Sequence, residues 1–245
     1  MSIWGKIIGG TTGFALGGPL GAILGVMAGN IYDKSKKTSF KFHEIPNQQK
    51  QSIFALSVII LAAKLAKADG VVTKDEIEAF KEKFRISSTE MEQVGKIFNE
   101  AKKTSYGFEK IAQQVGSLFQ NNHVVLEELL NNLFYIAEAD GKISEEEIIF
   151  LKTVSSIFKF DESTFQRIYE TRLNDKESDP YKVLGVKRTD SDELIRKTWI
   201  KLTKEHHPDY LVAKGMPPEF IDQANKEMSS INTAYDKIQK IRDIN

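Results

Sequence analysis

Hydrophobic positions fall into three patterns along the chain. Ile7 to Tyr32 is a run of 26 residues without a charge. At 1.5 Å per residue, a helix of that length reaches roughly 39 Å and can cross a hydrocarbon layer of roughly 30 Å with tilt or a kink. Residues 34–52 are polar, contain Pro46 and read as a linker. From Ile53 to Leu173 apolar residues recur at steps of three and four, with breaks at 83–88, 104–106, 121–122 and 160–161. About seven helices are expected there. After a second linker, 174–178, comes a short helix from Pro180 to Leu184, with Asp179 as N-cap and Gly185 as stop. The next helix lines up Leu194, Ile195, Thr198, Trp199 and Leu202, with Asp190 and Glu193 at capping-box spacing. Pro217-Pro218 opens a last helix carrying Phe220 or Ile221, Ala224, Met228, Ile231, Tyr235 and Ile238 on one face. The fold class is all-α: an N-terminal segment 1–33, a linker 34–52, a helical bundle 53–173, a linker 174–178 and a helical hairpin unit 179–245.

Nine of the sixteen glycines lie within the first 29 positions, and Gly5, Gly9, Gly13, Gly17, Gly21, Gly25 and Gly29 repeat every fourth residue. In water each would cost a helix about 1 kcal/mol against alanine. In lipid the backbone has no other partner, and a row of small residues lets two helices approach closely. A transmembrane helix that dimerises through Gly9, Gly13, Gly17, Gly21 and Gly25 is expected, with Pro19 as a kink. A hairpin turning at Gly17-Gly18-Pro19 would leave arms of about a dozen residues, too short to cross as helices. Lys34, Lys36, Lys37 and Lys41 follow the span and only Lys6 precedes it, which predicts one crossing with the N-terminus outside and the rest cytoplasmic.

The middle region contains a repeat. Ala66-Lys67-Ala68-Asp69-Gly70-Val71-Val72-Thr73-Lys74-Asp75-Glu76-Ile77 recurs 71 residues later as Ala137-Glu138-Ala139-Asp140-Gly141-Lys142-Ile143-Ser144-Glu145-Glu146-Glu147-Ile148. Asp-Gly ends a helix, and Thr73 with Glu76, or Ser144 with Glu147, has capping-box spacing for the next. The pattern also matches the second half of a calcium loop, but Leu65 and Ile136 stand where the first oxygen ligand is required. A divalent metal at Asp69, Glu76, Asp140 and Glu147 is the weaker reading of the same carboxylates.

Composition narrows the chemistry. The chain has no cysteine, which removes disulfides, thiolate catalysis and cysteine-ligated zinc. Its formal net charge is zero, yet Ala66 to Leu173 holds 14 basic and 19 acidic residues, making nucleic acid an unsuitable partner for the middle. No nucleophile with a paired base and no phosphate-cradling glycine loop is visible, so the chain does not read as an enzyme and no cofactor is expected. The one concentrated positive surface lies opposite the apolar face of the helix before His207: Arg196, Lys197, Lys201 and Lys204. Such a field steers an acidic partner.

The run Asp179 to Val186, then Ile195-Arg196-Lys197, His207-Pro208-Asp209 and Ile231-Asn232-Thr233-Ala234-Tyr235, resembles the J-domain of DnaJ co-chaperones over the last 67 residues. The resemblance implies stimulation of ATP hydrolysis by a DnaK-type chaperone. The basic helix would dock on the ATPase, and Asp209 in the His207-Pro208-Asp209 corner would engage its regulatory contacts. Ile200 and Tyr210 depart from the commoner pattern, where basic residues are frequent. The paired acidic turns resemble the TerB, or tellurite-resistance, helical domain. With a start of Trp4-Gly5-Lys6-Ile7-Ile8-Gly9 and the tract from Glu205 to Glu219, the whole chain resembles the membrane-anchored DnaJ-like co-chaperones of the DjlA type. Those are bacterial inner-membrane proteins with cytoplasmic domains. A TerB-centred scaffold or metal-responsive stress protein with a degenerate J-domain is the alternative.

Overall fold

The computed structural model describes residues 3–4, 7, 46–68, 81, 84, 86–103, 107–139, 143–172 and 178–243. Among these, regular structure is entirely helical, and no helix is long and apolar enough to cross a membrane. The expected transmembrane helix and its glycines Gly9, Gly13, Gly17, Gly21 and Gly25 lie outside the described residues.

Helix α1 (Asn47–Leu65) is the axis of the bundle. Every residue from Ser52 to Leu65 is buried, as expected for a helix that is apolar on nearly all sides and so has to be surrounded. Around it pack α2 (Ser88–Ala101), α3 (Phe108–Leu118), α4 (His123–Ala137) and α5 (Glu145–Ile157). The small helix α6 (Glu162–Glu170) closes the bundle through Phe165, which meets Phe134 of α4 with ring centroids 5.4 Å apart. The second acidic turn starts α5 as its spacing predicts: Ser144 Oγ accepts from the Glu147 amide at 3.2 Å, and Glu147 Oε2 accepts from the Ser144 amide at 2.9 Å.

α1 begins at Asn47, inside the stretch read as a linker. The Pro46 carbonyl accepts the first helical bonds, from the amides of Gln49 and Lys50. The polar side chains of that first turn do not face water only: Asn47 Nδ2 donates to the Val212 carbonyl at 3.0 Å and Gln51 Nε2 to the Met216 carbonyl at 3.4 Å. Polarity here serves a docking contact, which periodicity cannot distinguish from a solvated tether.

The C-terminal unit comprises α7 (Pro180–Leu184), α8 (Asp192–Glu205), α9 (Pro208–Ala213), a 3₁₀ turn (Pro218–Phe220) and α10 (Ile221–Arg242). Asp179 caps α7 by accepting from the Tyr181 amide at 3.0 Å, and Gly185 ends it at φ 68°. The start of α8 differs from expectation. Ser191 is its N-cap, with Oγ accepting from the Leu194 amide at 3.3 Å, whereas Asp190 Oδ2 closes the preceding turn on the Lys187 amide at 2.9 Å. The two carboxylates with box spacing thus do different jobs.

α8 and α10 pack as the expected hairpin. Trp199 and Tyr235 stack with centroids 4.3 Å apart and planes at 4°, and Trp199 Nε1 donates to Asn232 Oδ1 at 2.8 Å. Tyr181, Leu184, Ile195, Leu202, Ile231 and Ile238 complete this small core. Arg242, at the end of α10, reaches back to Tyr181 Oη at 3.0 Å, the Asp190 carbonyl at 2.8 Å and Asp192 Oδ1 at 2.6 Å. Leu194, expected in the seam, is exposed instead. Ile195 takes the inward position, because one helical face cannot seat both neighbours.

The apolar stripe of α10 serves two cores. Ile231, Tyr235 and Ile238 belong to the hairpin, but Phe220 and Ala224 join the bundle core together with Leu211 and Met216. Phe220 meets Phe54 at 5.0 Å and Phe84 at 4.8 Å. Gly215, at φ 110°, lets the loop come close: a Cβ there would sit 2.8 Å from Lys50 Cβ.

The same pocket of rings takes the N-terminus. Trp4 is fully buried, with its ring 6.1 Å from Phe84 and 6.0 Å from Phe220, and its Nε1 donates to the Phe84 carbonyl at 3.0 Å. Ile3 and Ile7 are buried beside it, and the Ile3 amide donates to Glu219 Oε1 at 2.8 Å.

Candidate functional site

The tripeptide forms the start of a helix. His207 is the N-cap of α9, Pro208 occupies its first position and Asp209 its second. The Asp209 amide donates to His207 Nδ1 at 3.2 Å, so the ring caps its own helix and carries its N–H on Nε2. Both the His207 and Asp209 side chains face solvent, at 52% and 94% exposure. The carboxylate is thus held out on a proline-fixed turn.

On the adjoining α8, Arg196, Lys197, Lys201 and Lys204 are all exposed. Lys197 is not a lone cation, since its Nζ lies 2.7 Å from Glu193 Oε1 one turn earlier. Both partners are solvated, so that pair holds little energy. Of the two positions departing from the basic pattern, Tyr210 is 43% exposed and lies under the Lys214 ammonium, 5.2 Å from the ring centroid. Ile200 is half-buried.

His206, beside the tripeptide, is wholly buried. Its Nδ1 lies 2.9 Å from Glu128 Oε1 and its Nε2 3.1 Å from Glu127 Oε1, both carboxylates belonging to α4 of the bundle. Arg167 of α6 donates to the same Glu127 oxygen and lies 3.8 Å from Glu227 of α10. Gly185 of α7 packs over the Arg167 side chain, where a Cβ would come to 3.4 Å of its Cδ.

Burial alone would discharge these groups, but at His206 and Glu127 their mutual charges prevail. Burial pushes the His206 imidazolium down, and Glu127 with Glu128 more than reverses this, raising it to about 10. Burial pushes the Glu127 carboxyl up, and Arg167 with His206 overcomes it, holding it at about 2. Glu227 is raised by burial and then by the nearby Glu128. The seam between bundle and hairpin is therefore ionic at one end and aromatic at the other.

Asp69, Glu76 and Asp140 lie outside the described residues, and Glu147 Oε2 is engaged by Ser144. Among the described residues no group of three metal-ligating side chains converges.

Comparison with known families covers nearly the whole chain in three segments. Residues 1–46 match the co-chaperone DjlA transmembrane domain, 55–170 the tellurite resistance protein TerB, and 179–243 the DnaJ domain. The chain belongs to the DjlA-type co-chaperone family. Among DjlA relatives, the protein of Photobacterium profundum is 27% identical over 97% of this chain and 98% of its own length. The Coxiella burnetii DjlA is 28% identical over 97% of both, and that of Shewanella oneidensis 29% over 99% of both. No solved structure matches the chain.

For a DjlA-type protein, exposure of the J-domain tripeptide and its basic helix is the geometry the sequence predicts. The fusion of TerB-like and J-domain cores is not legible in the motifs. A local sign of it is Glu127-Glu128, the two carboxylates of a helix that holds no other acidic residue.

Proposed function

We propose that this chain stimulates the ATPase of a DnaK-type chaperone through its J-domain, and does so at a membrane. The observation that carries the reading is the tripeptide corner: His207 and Asp209 stand in solvent on a fixed helix start beside the cationic face of α8. Arg196, Lys197, Lys201 and Lys204 would meet an acidic surface of the chaperone, while His207, Pro208 and Asp209 would engage the contacts that govern hydrolysis. Steady-state ATP turnover by the cognate DnaK tests it. Full-length protein should raise turnover and His207→Gln should abolish the rise. Absence of stimulation by the wild type, or equal stimulation by the variant, refutes the reading.

The uncharged N-terminal run and the transmembrane-domain match support a bilayer anchor, and Lys34, Lys36, Lys37 and Lys41 support a cytoplasmic position for the two domains. The glycine row supports pairing of two such anchors. A reporter of membrane-helix association should lose its signal when Gly13, Gly17 and Gly21 become leucine.

A further inference from the structure

The tripeptide is flanked by two anchors, and neither lies in the J-domain's own core. His206, immediately before it, sits in the carboxylate seat formed by Glu127 and Glu128. Leu211, two residues after it, is fully buried in the bundle core with Phe54 and Phe220. Between these points the corner's own bonds are short-range, from the Asp209 amide to His207 Nδ1 at 3.2 Å and from the Leu211 amide to the His207 carbonyl at 3.0 Å. His206 is also the C-cap of α8 and precedes the N-cap of α9, so its placement sets the angle between the basic helix and the tripeptide.

We propose that the TerB-like bundle is the positioning base of the J-domain corner: Glu127 and Glu128 grip His206 and thereby fix the direction in which His207 and Asp209 meet the chaperone. His206 is a positioning residue, since it is buried and touches no partner. The cluster is an expensive device. Two cations and three carboxylates share a water-poor seam, and such groups are costly to desolvate unless their geometry repays it. An apolar contact would join the domains as firmly but would let the loop rotate. The Nδ1–Glu128 hydrogen bond, with the Glu127 carboxylate 3.1 Å from Nε2, fixes the plane of the imidazole, and with it the backbone entering Pro208.

This inference rests on the J-domain reading, and two readouts separate their fates. Full-length protein in lipid nanodiscs is compared with Glu128→Gln, and with Glu128→Asp and His206→Lys, which keep the charge in the seat. In Glu128→Gln the maximal stimulation of DnaK turnover should fall roughly five-fold or more, while the half-saturating concentration, set by the untouched basic helix, changes less than the maximum does. His206→Lys should recover part of the maximum. Amide hydrogen exchange at Asp209 to Val212 should quicken in Glu128→Gln. A folded Glu128→Gln with wild-type maximum and wild-type exchange overturns the proposal and leaves the J-domain reading intact. If the wild type gives no stimulation, that reading fails, and exchange alone decides the positioning claim, unchanged rates overturning it. Should Glu128→Gln not fold, the same two measurements on His206→Gln, which removes the charge from the other side of the pair, decide, a wild-type maximum with wild-type exchange overturning the proposal.

Discussion

Phe220 meets Phe54 edge-on, with ring centroids 5.0 Å apart and planes at 88°. The first belongs to the J-domain by its motifs and the second to the TerB-like bundle, yet they share one core. Phe220→Ala should destabilise the protein by about 3–5 kcal/mol through the cavity it leaves. Urea denaturation followed by helical dichroism and by the fluorescence of Trp199, made the sole tryptophan by Trp4→Phe in both proteins, should shift in both signals together. A Trp199 transition that stays in place would show that the two units melt independently.

Stability should depend on pH through the buried cluster. Glu127 falls from an ordinary 4.5 to about 2, so its contribution is present above 4.5 and is lost as pH falls toward 2. His206 rises from 6.5 to about 10, so its contribution is complete below 6.5 and is lost as pH rises toward 10. Glu227, raised in the fold, acts the other way from Glu127 and loses stability as pH climbs above 4.5, so stability is expected to be highest near 4.5 and to fall on the alkaline side, the decline above 6.5 belonging to His206. Denaturation midpoints measured along this range should show that decline in the wild type and not in His206→Gln.

Cations on α8 should act by affinity. Arg196→Ala with Lys201→Ala should raise the half-saturating concentration for DnaK stimulation roughly ten-fold at low salt, with the maximum preserved, because steering charges change encounter more than the bound geometry. Added salt should weaken the wild type and narrow its difference from the double variant. Lys197→Ala should have a smaller effect, since its charge is already offset by Glu193 at 2.7 Å.

The seat of Trp4 makes a topological prediction. The chain has no cysteine of its own, so Ile3→Cys with Glu219→Cys gives a clean pair at the point where the Ile3 amide lies 2.8 Å from the Glu219 carboxylate. With Trp4 seated, oxidation of membrane preparations should close a disulfide, visible as altered migration that a reductant reverses. A single crossing with the N-terminus outside would leave both thiols free and take the Trp4 ring away from Phe84 and Phe220.

The sequence by itself determined the parts of this protein that are local. Capping at Asp179 and Ser144, the stop at Gly185, the seam of Trp199 and Tyr235 and the proline-fixed helix start at His207 all depend on neighbours within a turn or on a period, and the J-domain and TerB resemblances follow those same stretches. Errors also arose locally: Asp190 and Ser191 compete for one cap, and Asn47 to Gln51 read as a tether because polarity alone does not reveal what it bonds. What only the tertiary structure decided is long-range. His206 and Glu128 are 78 residues apart, and Trp4 and Phe84 are 80 apart. No periodicity links such positions, because a buried charge or ring takes its partner from whichever element packing brings against it. A histidine next to a solvent-exposed motif thus became the point where one domain holds the other.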